Sequence, residues 1–390
     1  MKPFPQGWLL LALILAAFNL RPGITSLAPL IERIATELAL SRSLISLTTA
    51  LPVLCMGLLA PLAPRLALRI GLERTIALCM GVIALALLSR LAGHVSGVLI
   101  GSAVLLGAAI AVAGPLLAGF IKRHFVTRMG SVVGWYSLGM ALGGAGGAVL
   151  TPPALQLLGD DWALGLALWA VPAVLGVLLW LWLPNQLEAQ VAGENQPGLP
   201  WRKPRAWLIS AFFALQAGLF YALATWAVAR YHEAGLSLLH SNSLFSISML
   251  MGLPSAFALP WLAQRLGNRY LLLLGCGLLS TLSLGMISFA PTLWPEFWAV
   301  SIGFGLGGSF ALSLVLPLYE AGSPLAVSRW TAMMLFMGYS LASLTPVLTG
   351  LARDLAGNYQ LPFMVLTALA LLMSLLAWVL GRGHRTGTSR

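Results

Sequence analysis

The residue with the most chemical potential in this 390-residue chain is an arginine in an apolar run. From Trp8 to Leu30 the sequence is apolar or small except where Asn19, Leu20, Arg21, Pro22 and Gly23 interrupt it. On insertion scales an arginine at the centre of a spanning helix costs about 2.5–3.5 kcal/mol. Pro22 removes a backbone N–H at the same place and disturbs the preceding turn. A guanidinium so placed attracts an anion or a strong dipole. Thr25 lies one turn further on the same helical face, whereas Asn19 points elsewhere unless Pro22 and Gly23 turn the helix. Two structural alternatives stay open for Arg21: its side chain snorkels outward, or backbone carbonyls freed at Pro22 hold it. No carboxylate offers itself as a partner, because the eleven acidic residues fall at span ends, in loops or in a linker. Glu296 and Glu320 mark the two ends of one span, and the five histidines also lie outside spans or at their ends.

Enzyme chemistry is excluded by the same census. The chain has no carboxylate pair on one face, no His-Glu-x-x-His, no phosphate-cradling glycine loop followed by Lys, and no nucleophile beside a histidine. Cys55, Cys79 and Cys276 stand alone in apolar helices, without metal-ligand spacing, and read as small apolar core residues. No cofactor and no metal is expected.

The elements that position Arg21 follow from composition. With 59% hydrophobic residues, 8% charged residues and a mean hydropathy of +0.90, the chain lies far below the roughly 25% charge of soluble proteins. It reads as an all-α polytopic membrane protein in a lipid bilayer. The net charge of +11 is dispersed as short clusters between apolar runs, which excludes a basic nucleic-acid face. Twelve apolar segments span about 20 residues or more: 8–30, 44–64, 74–93, 97–120, 130–153, 163–184, 206–230, 241–262, 270–290, 296–318, 326–350 and 361–381. Each can cross a hydrocarbon core of roughly 30 Å. The first run reads as a helix rather than a cleaved leader, since no small-residue cleavage site ends it. With the amino terminus inside, sixteen of the 22 Lys and Arg fall in inner segments, as the positive-inside rule requires. Both termini are therefore expected in the cytoplasm.

Residues 185–204 form the only long polar stretch, a linker between a first bundle at 1–184 and a second at 205–390. The halves repeat. Arg69, Ile70, Gly71, Leu72, Glu73, Arg74 after span two matches Arg265, Leu266, Gly267, Asn268, Arg269 after span eight, 196 residues on. Thr151-Pro152 and Thr345-Pro346 close spans five and eleven at an offset of 194. Such repetition is the mark of a parallel two-half transporter. The arginines at 65, 69, 74, 265 and 269 read as a conformational gate, pairing with acids or helix C-termini at the inner face. Gly139, Gly143 and Gly147 on span five, and Gly303, Gly305, Gly307 and Gly308 on span ten, read as ridges for close helix packing.

On span seven, Gln216 and Trp226 come about 80° apart around the helix, with Tyr221 about 140° from each. The three cannot share one narrow pocket on an unbroken helix. Trp226 is either an interfacial anchor or a cavity wall, and Gln216 needs a partner for its amide.

The chain resembles the major facilitator superfamily, and within it the cyanate transporters and 2-nitroimidazole exporters. The likeness rests on Asn19-Leu20-Arg21-Pro22 with Thr25; Thr49-Ala50-Leu51-Pro52; Ile121-Lys122-Arg123 with Phe125; Gly134 and Ser137; Gln216, Phe220, Tyr221 and Trp226; and Gly338, Tyr339, Ala342 and Pro346. The resemblance implies two pseudo-symmetric six-helix bundles in a bacterial inner membrane, a monomer, and a small-molecule substrate moved by alternating access. It implies a substrate site drawn from Arg21, Thr25, Asn19, Thr49, Ser137, Gln216, Tyr221, Trp226 and Tyr339. The chain departs from the family pattern where an amide side chain and a proline in span four become Gly114 and Ala118, where a glutamine in span eleven becomes Leu335, and where Leu-Pro after the span-seven tryptophan becomes Ala227-Val228. A small anion such as cyanate suits Arg21; a neutral heteroaromatic suits Gly114 and Leu335. The rival class, a membrane receptor or scaffold, has no soluble input or output domain to serve it.

Overall fold

The computed structural model describes residues 5–40, 42–184 and 198–385. Most of the linker expected at 185–204 lies outside these residues, as does the side chain of Thr49. The described residues are helical throughout, with no strand. Eleven helices are long and apolar enough to cross a membrane, and a bent pair supplies a twelfth.

That pair is span two. Ala50–Leu58 and Leu62–Ile70 meet at 66°, because Pro61 cannot donate to the preceding turn and steers its neighbour out of helical geometry. The second piece buries Ala63, Pro64 and Ala67 and exposes Arg65 and Arg69. The basic loop expected after span two is thus an amphipathic helix. Only Gly71, at φ 90°, breaks it from span three.

Span one is also broken. A helix from Gln6 to Asn19 stops, a single turn from Pro22 to Thr25 follows, and a 3-10 turn from Ala28 to Leu30 ends the span. Spans five, seven and ten, by contrast, are single helices at Met129–Leu157, Pro204–Glu233 and Pro295–Glu320.

Two compact units emerge. One comprises residues 1–127, 135–199 and 321–336; the other comprises 128–134, 200–320 and 337–390. In the first, the Trp180 indole donates to the Ala12 carbonyl at 3.0 Å and packs edge-on against Phe120 at 4.8 Å. Gly119 of span four lies against Pro324 and Ser328. In the second unit, Gly134 approaches the Phe257 carbonyl, and the Ser131 backbone N–H donates to Gln264 Oε1 at 2.8 Å.

Both glycine ridges pack as expected. Gly139, Gly143 and Gly147 sit in turn against Ile14, Phe18 and Pro22. The two helices therefore advance together, one turn at a time, up to the break at Arg21. Gly303 and Gly307 do the same against Ser248 and Gly252, where backbone meets backbone. Each replaces a side chain with a close approach, which is how helices attract where lipid offers no hydrophobic drive.

Candidate functional site

Arg21 occupies the break in span one. Its backbone N–H reaches back to Phe18, and its carbonyl accepts from the N–H groups of Ile24 and Thr25 at 3.0 and 3.1 Å. The Thr25 hydroxyl donates to that carbonyl as well, at 3.2 Å. The Arg21 and Pro22 carbonyls are thereby occupied by the next turn, the latter accepting from the Ser26 N–H at 2.9 Å. The half-buried Arg21 guanidinium makes no hydrogen bond or ion pair with any described residue.

Span five is what the side chain meets. A methyl group at Gly144 would stand 3.6 Å from Arg21 Cβ and 3.9 Å from Thr25 Cγ2. Arg21 and Thr25 therefore share one face, as their spacing demands, and that face looks at glycines. The buried Tyr136 lies on the same helix. Ser137, next to it, is 3% exposed, and its hydroxyl has no partner among the described residues.

Asn19 goes the other way. It is 1% exposed, and its Nδ2 donates to Leu15 at 2.8 Å and to Pro172 of span six at 3.0 Å. The structure does not bring it to Arg21; the amide ties span one to span six. Thr49 lies on the helix Arg42–Leu58, with its side chain outside the described residues.

In the second unit, Gln216 stands 197 residues after Asn19 and repeats its role. Its Nε2 donates to the Leu306 carbonyl of span ten at 3.1 Å, and its Oε1 is buried without a partner among the described residues. Tyr221 and Tyr339 meet at 6.5 Å between ring centroids, and Tyr339 packs edge-on against Phe213 at 5.5 Å. Gly338 makes room for that Phe213 ring. Trp226 donates from Nε1 to the Pro346 carbonyl at 2.8 Å and lies 5.6 Å from the Tyr359 ring. It braces span seven against span eleven. Span seven is unbroken, so Gln216 turns to span ten while Tyr221 and Trp226 turn to span eleven.

Two departures from the family pattern are neighbours in space. A methyl group on Gly114 would touch Leu335 at 3.4 Å. Where the pattern has two amides, this chain has one leucine filling the space of the other.

The acid pairing expected of the gate arginines is not found among the described residues. Arg65, Arg69 and Arg74 are exposed and pair with no acid among the described residues. Arg265 is exposed and stacks on Trp261 at 4.2 Å; Arg269 lies over Tyr319 at 4.1 Å, its Nε without a partner among the described residues. The ion pairs belong to other residues. Glu73, expected in a loop, is 1% exposed and accepts from Arg123 at 2.7 Å, with His124 at 3.6 Å. In the second unit Glu320 accepts from Arg205 at 2.5 Å and from the Tyr270 hydroxyl, while Arg205 also donates to the Leu380 carbonyl at 3.1 Å. The repeat contained a signal for these clusters. At offsets of 196 and 197, Glu73 corresponds to Arg269 and Arg123 to Glu320, so acid and base exchange places between the halves.

Apolar spans in two repeated halves, with a cation that has no partner among the described residues in the break of span one, fit a polytopic membrane transporter. The chain belongs to the Major Facilitator Superfamily, whose family model matches residues 9–343. It is 33% identical to the cyanate transport protein CynX of Escherichia coli over 90% of this chain and 91% of that one. It is 29% identical to the 2-nitroimidazole transporter of the same organism, over 96% and 95%. The human organic anion transporter MFSD10 superposes with a TM-score of 0.75 at 15% identity, over 96% of this chain and 100% of that one. The Escherichia coli fucose:proton symporter FucP also gives 0.75, at 12% identity, over 95% and 98%. At those identities the solved structures establish the fold.

Proposed function

We propose that this transporter moves a small anion such as cyanate across the bacterial inner membrane by alternating access, with Arg21 and Thr25 as the anion end of its site. The observation that carries the reading is the Arg21 guanidinium, held at a helix break without a partner among the described residues. A cation there is costly unless it serves an ionic path. The 33% identity to a cyanate transport protein supports the choice of anion. Ser137, Gln216, Tyr221 and Tyr339 supply further polar and aromatic contacts in this reading; Thr49 remains a member on sequence grounds. The bundles at 1–184 and 205–390 move about the linker at 185–204 with both termini cytoplasmic, and one chain suffices. The buried cluster around Glu73 and the half-buried one around Glu320 hold the inner ends of the spans, with Arg269 beside the second.

The contact of Leu335 with Gly114 favours a second reading, export of a neutral heteroaromatic of the nitroimidazole type, as in the relative at 29% identity. Counterflow in proteoliposomes with cyanate, nitrate, small carboxylates and nitroimidazoles separates the two. Exchange of the anions, weakened by Arg21→Lys and abolished by Arg21→Ala, supports the first reading. Full flux through the Arg21→Ala variant at normal expression refutes it, and exchange of the heteroaromatic alone puts export in its place.

A further inference from the structure

A buried arginine in the first unit lacks a counter-charge among the described residues, and nothing in the transport reading uses it. Arg90 ends span three and is 1% exposed, among the largest fully buried side chains. Its Nε donates to the Ser102 hydroxyl of span four at 3.2 Å, and that hydroxyl donates onward to the Leu99 carbonyl at 2.7 Å. Nη1 is buried without a partner, and no carboxylate pairs with Arg90 among the described residues.

The second unit shows what a satisfied arginine looks like in such a place. Arg230, also buried, donates to the carbonyls of Ile287 and Ser288 at the end of span nine, at 3.2 and 2.7 Å, and pairs with Glu233 at 3.4 Å. Arg90 has one hydroxyl in place of all three.

A further orphan lies at the same level. Gly23 of span one packs against Leu87 of span three and Leu106 of span four. One helical turn beyond that contact, away from the basic loop at residues 65–74, come Ser26, Arg90 and Ser102 respectively. Ser26 is 0% exposed, and its hydroxyl has no partner among the described residues. The flanking Leu27 and Leu99 belong to an apolar cluster with Leu30 and Trp162. Two unpartnered donors, one of them permanently charged, therefore face an apolar surround.

We infer that Arg90, Ser26 and Ser102 form a binding site for a small monovalent anion of halide size, separate from Arg21. A neutral ligand satisfies the N–H groups but leaves the buried charge uncompensated, which an anion does not. The site does not depend on what Arg21 binds.

The test is thermal unfolding of the purified full chain in detergent, with bromide exchanged for gluconate at constant ionic strength. Wild type is expected to gain several degrees with single-site saturation, since a ligand bound only by the native state raises its stability. Arg21→Ala retains the gain and Arg90→Gln loses it. Ser26→Ala, which removes one hydrogen bond, shifts half-saturation to about tenfold higher bromide. No response in wild type, or a full response in Arg90→Gln, overturns the proposal. Loss of the response in Arg21→Ala overturns it too, while leaving the transport reading intact. If Arg90→Gln does not fold, anomalous scattering from wild-type crystals grown in bromide decides. A peak beside Arg90 Nη1 supports the site, and its absence refutes it.

Discussion

Replacing Gly147 with alanine tests the Arg21 site without touching its chemistry. The new methyl would lie 2.9 Å from Pro22 Cα and 3.1 Å from the Pro22 carbonyl oxygen, and would displace the Thr25 hydroxyl. Carbon atoms rest at about 3.5–4.0 Å, so starting from 2.9 Å spans one and five must part by about 0.6 Å or more at the residue after Arg21. Backbone is in the way, and it yields less readily than a side chain. Overpacking of this kind costs about 1–3 kcal/mol of stability. The larger effect is on binding. If separation removes one charge-assisted hydrogen bond to the anion, about 1.5–3 kcal/mol is lost, which raises half-saturation about 10- to 100-fold. Counterflow of cyanate in proteoliposomes measures this, with the unfolding midpoint as a check on folding. Gly101→Ala is the control, because nothing lies within 4 Å of its added methyl. It should leave transport unchanged and be neutral or slightly stabilising, by about 0.4–1 kcal/mol. Unaltered half-saturation in a folded Gly147→Ala protein refutes the placement of Arg21 and Thr25 at the site. An equal loss in Gly101→Ala refutes the packing argument.

Leu335→Gln puts an amide back beside Gly114 and should strengthen competition by small anions in counterflow; no change in the ranking of solutes would separate this contact from selectivity. Trp226→Phe removes the hydrogen bond to the Pro346 carbonyl, at a cost of about 1 kcal/mol. Its midpoint should fall while the affinity for solute stays near wild type, and a large affinity loss with an unchanged midpoint would return Trp226 to the substrate path. Glu320→Gln deprives Arg205 of its counter-charge. The pair is 25% and 12% exposed, so the loss should be about 2–3 kcal/mol, below the 3–5 kcal/mol of fully buried pairs. Arg74→Gln, at an exposed position, should change the midpoint by less than about 0.5 kcal/mol; thermal unfolding compares the two directly.

What the sequence determined by itself is whatever depends on one helix at a time. Run length and charge scarcity set the number of spans, because crossing a bilayer is a demand on each segment separately. The break at Arg21 was legible because Pro22 acts on its own turn, and the shared face of Arg21 and Thr25 because helical spacing fixes it. The divergence of Gln216, Tyr221 and Trp226 around span seven followed from the same spacing. Tertiary structure decided everything that depends on which helix lies opposite. Asn19 resembles Arg21's neighbour in the chain, yet span six supplies its partner. The arginines at 65, 69 and 74 outnumber Arg123 near Glu73 in sequence, but it is Arg123 that arrives antiparallel at the buried end of span three. Gly114 and Leu335 are 221 positions apart, and their contact appears only when the two spans meet. Arg90 read as one more basic residue at a span end until packing enclosed it, because the cost of a charge is set by its surroundings and these are made by other parts of the chain.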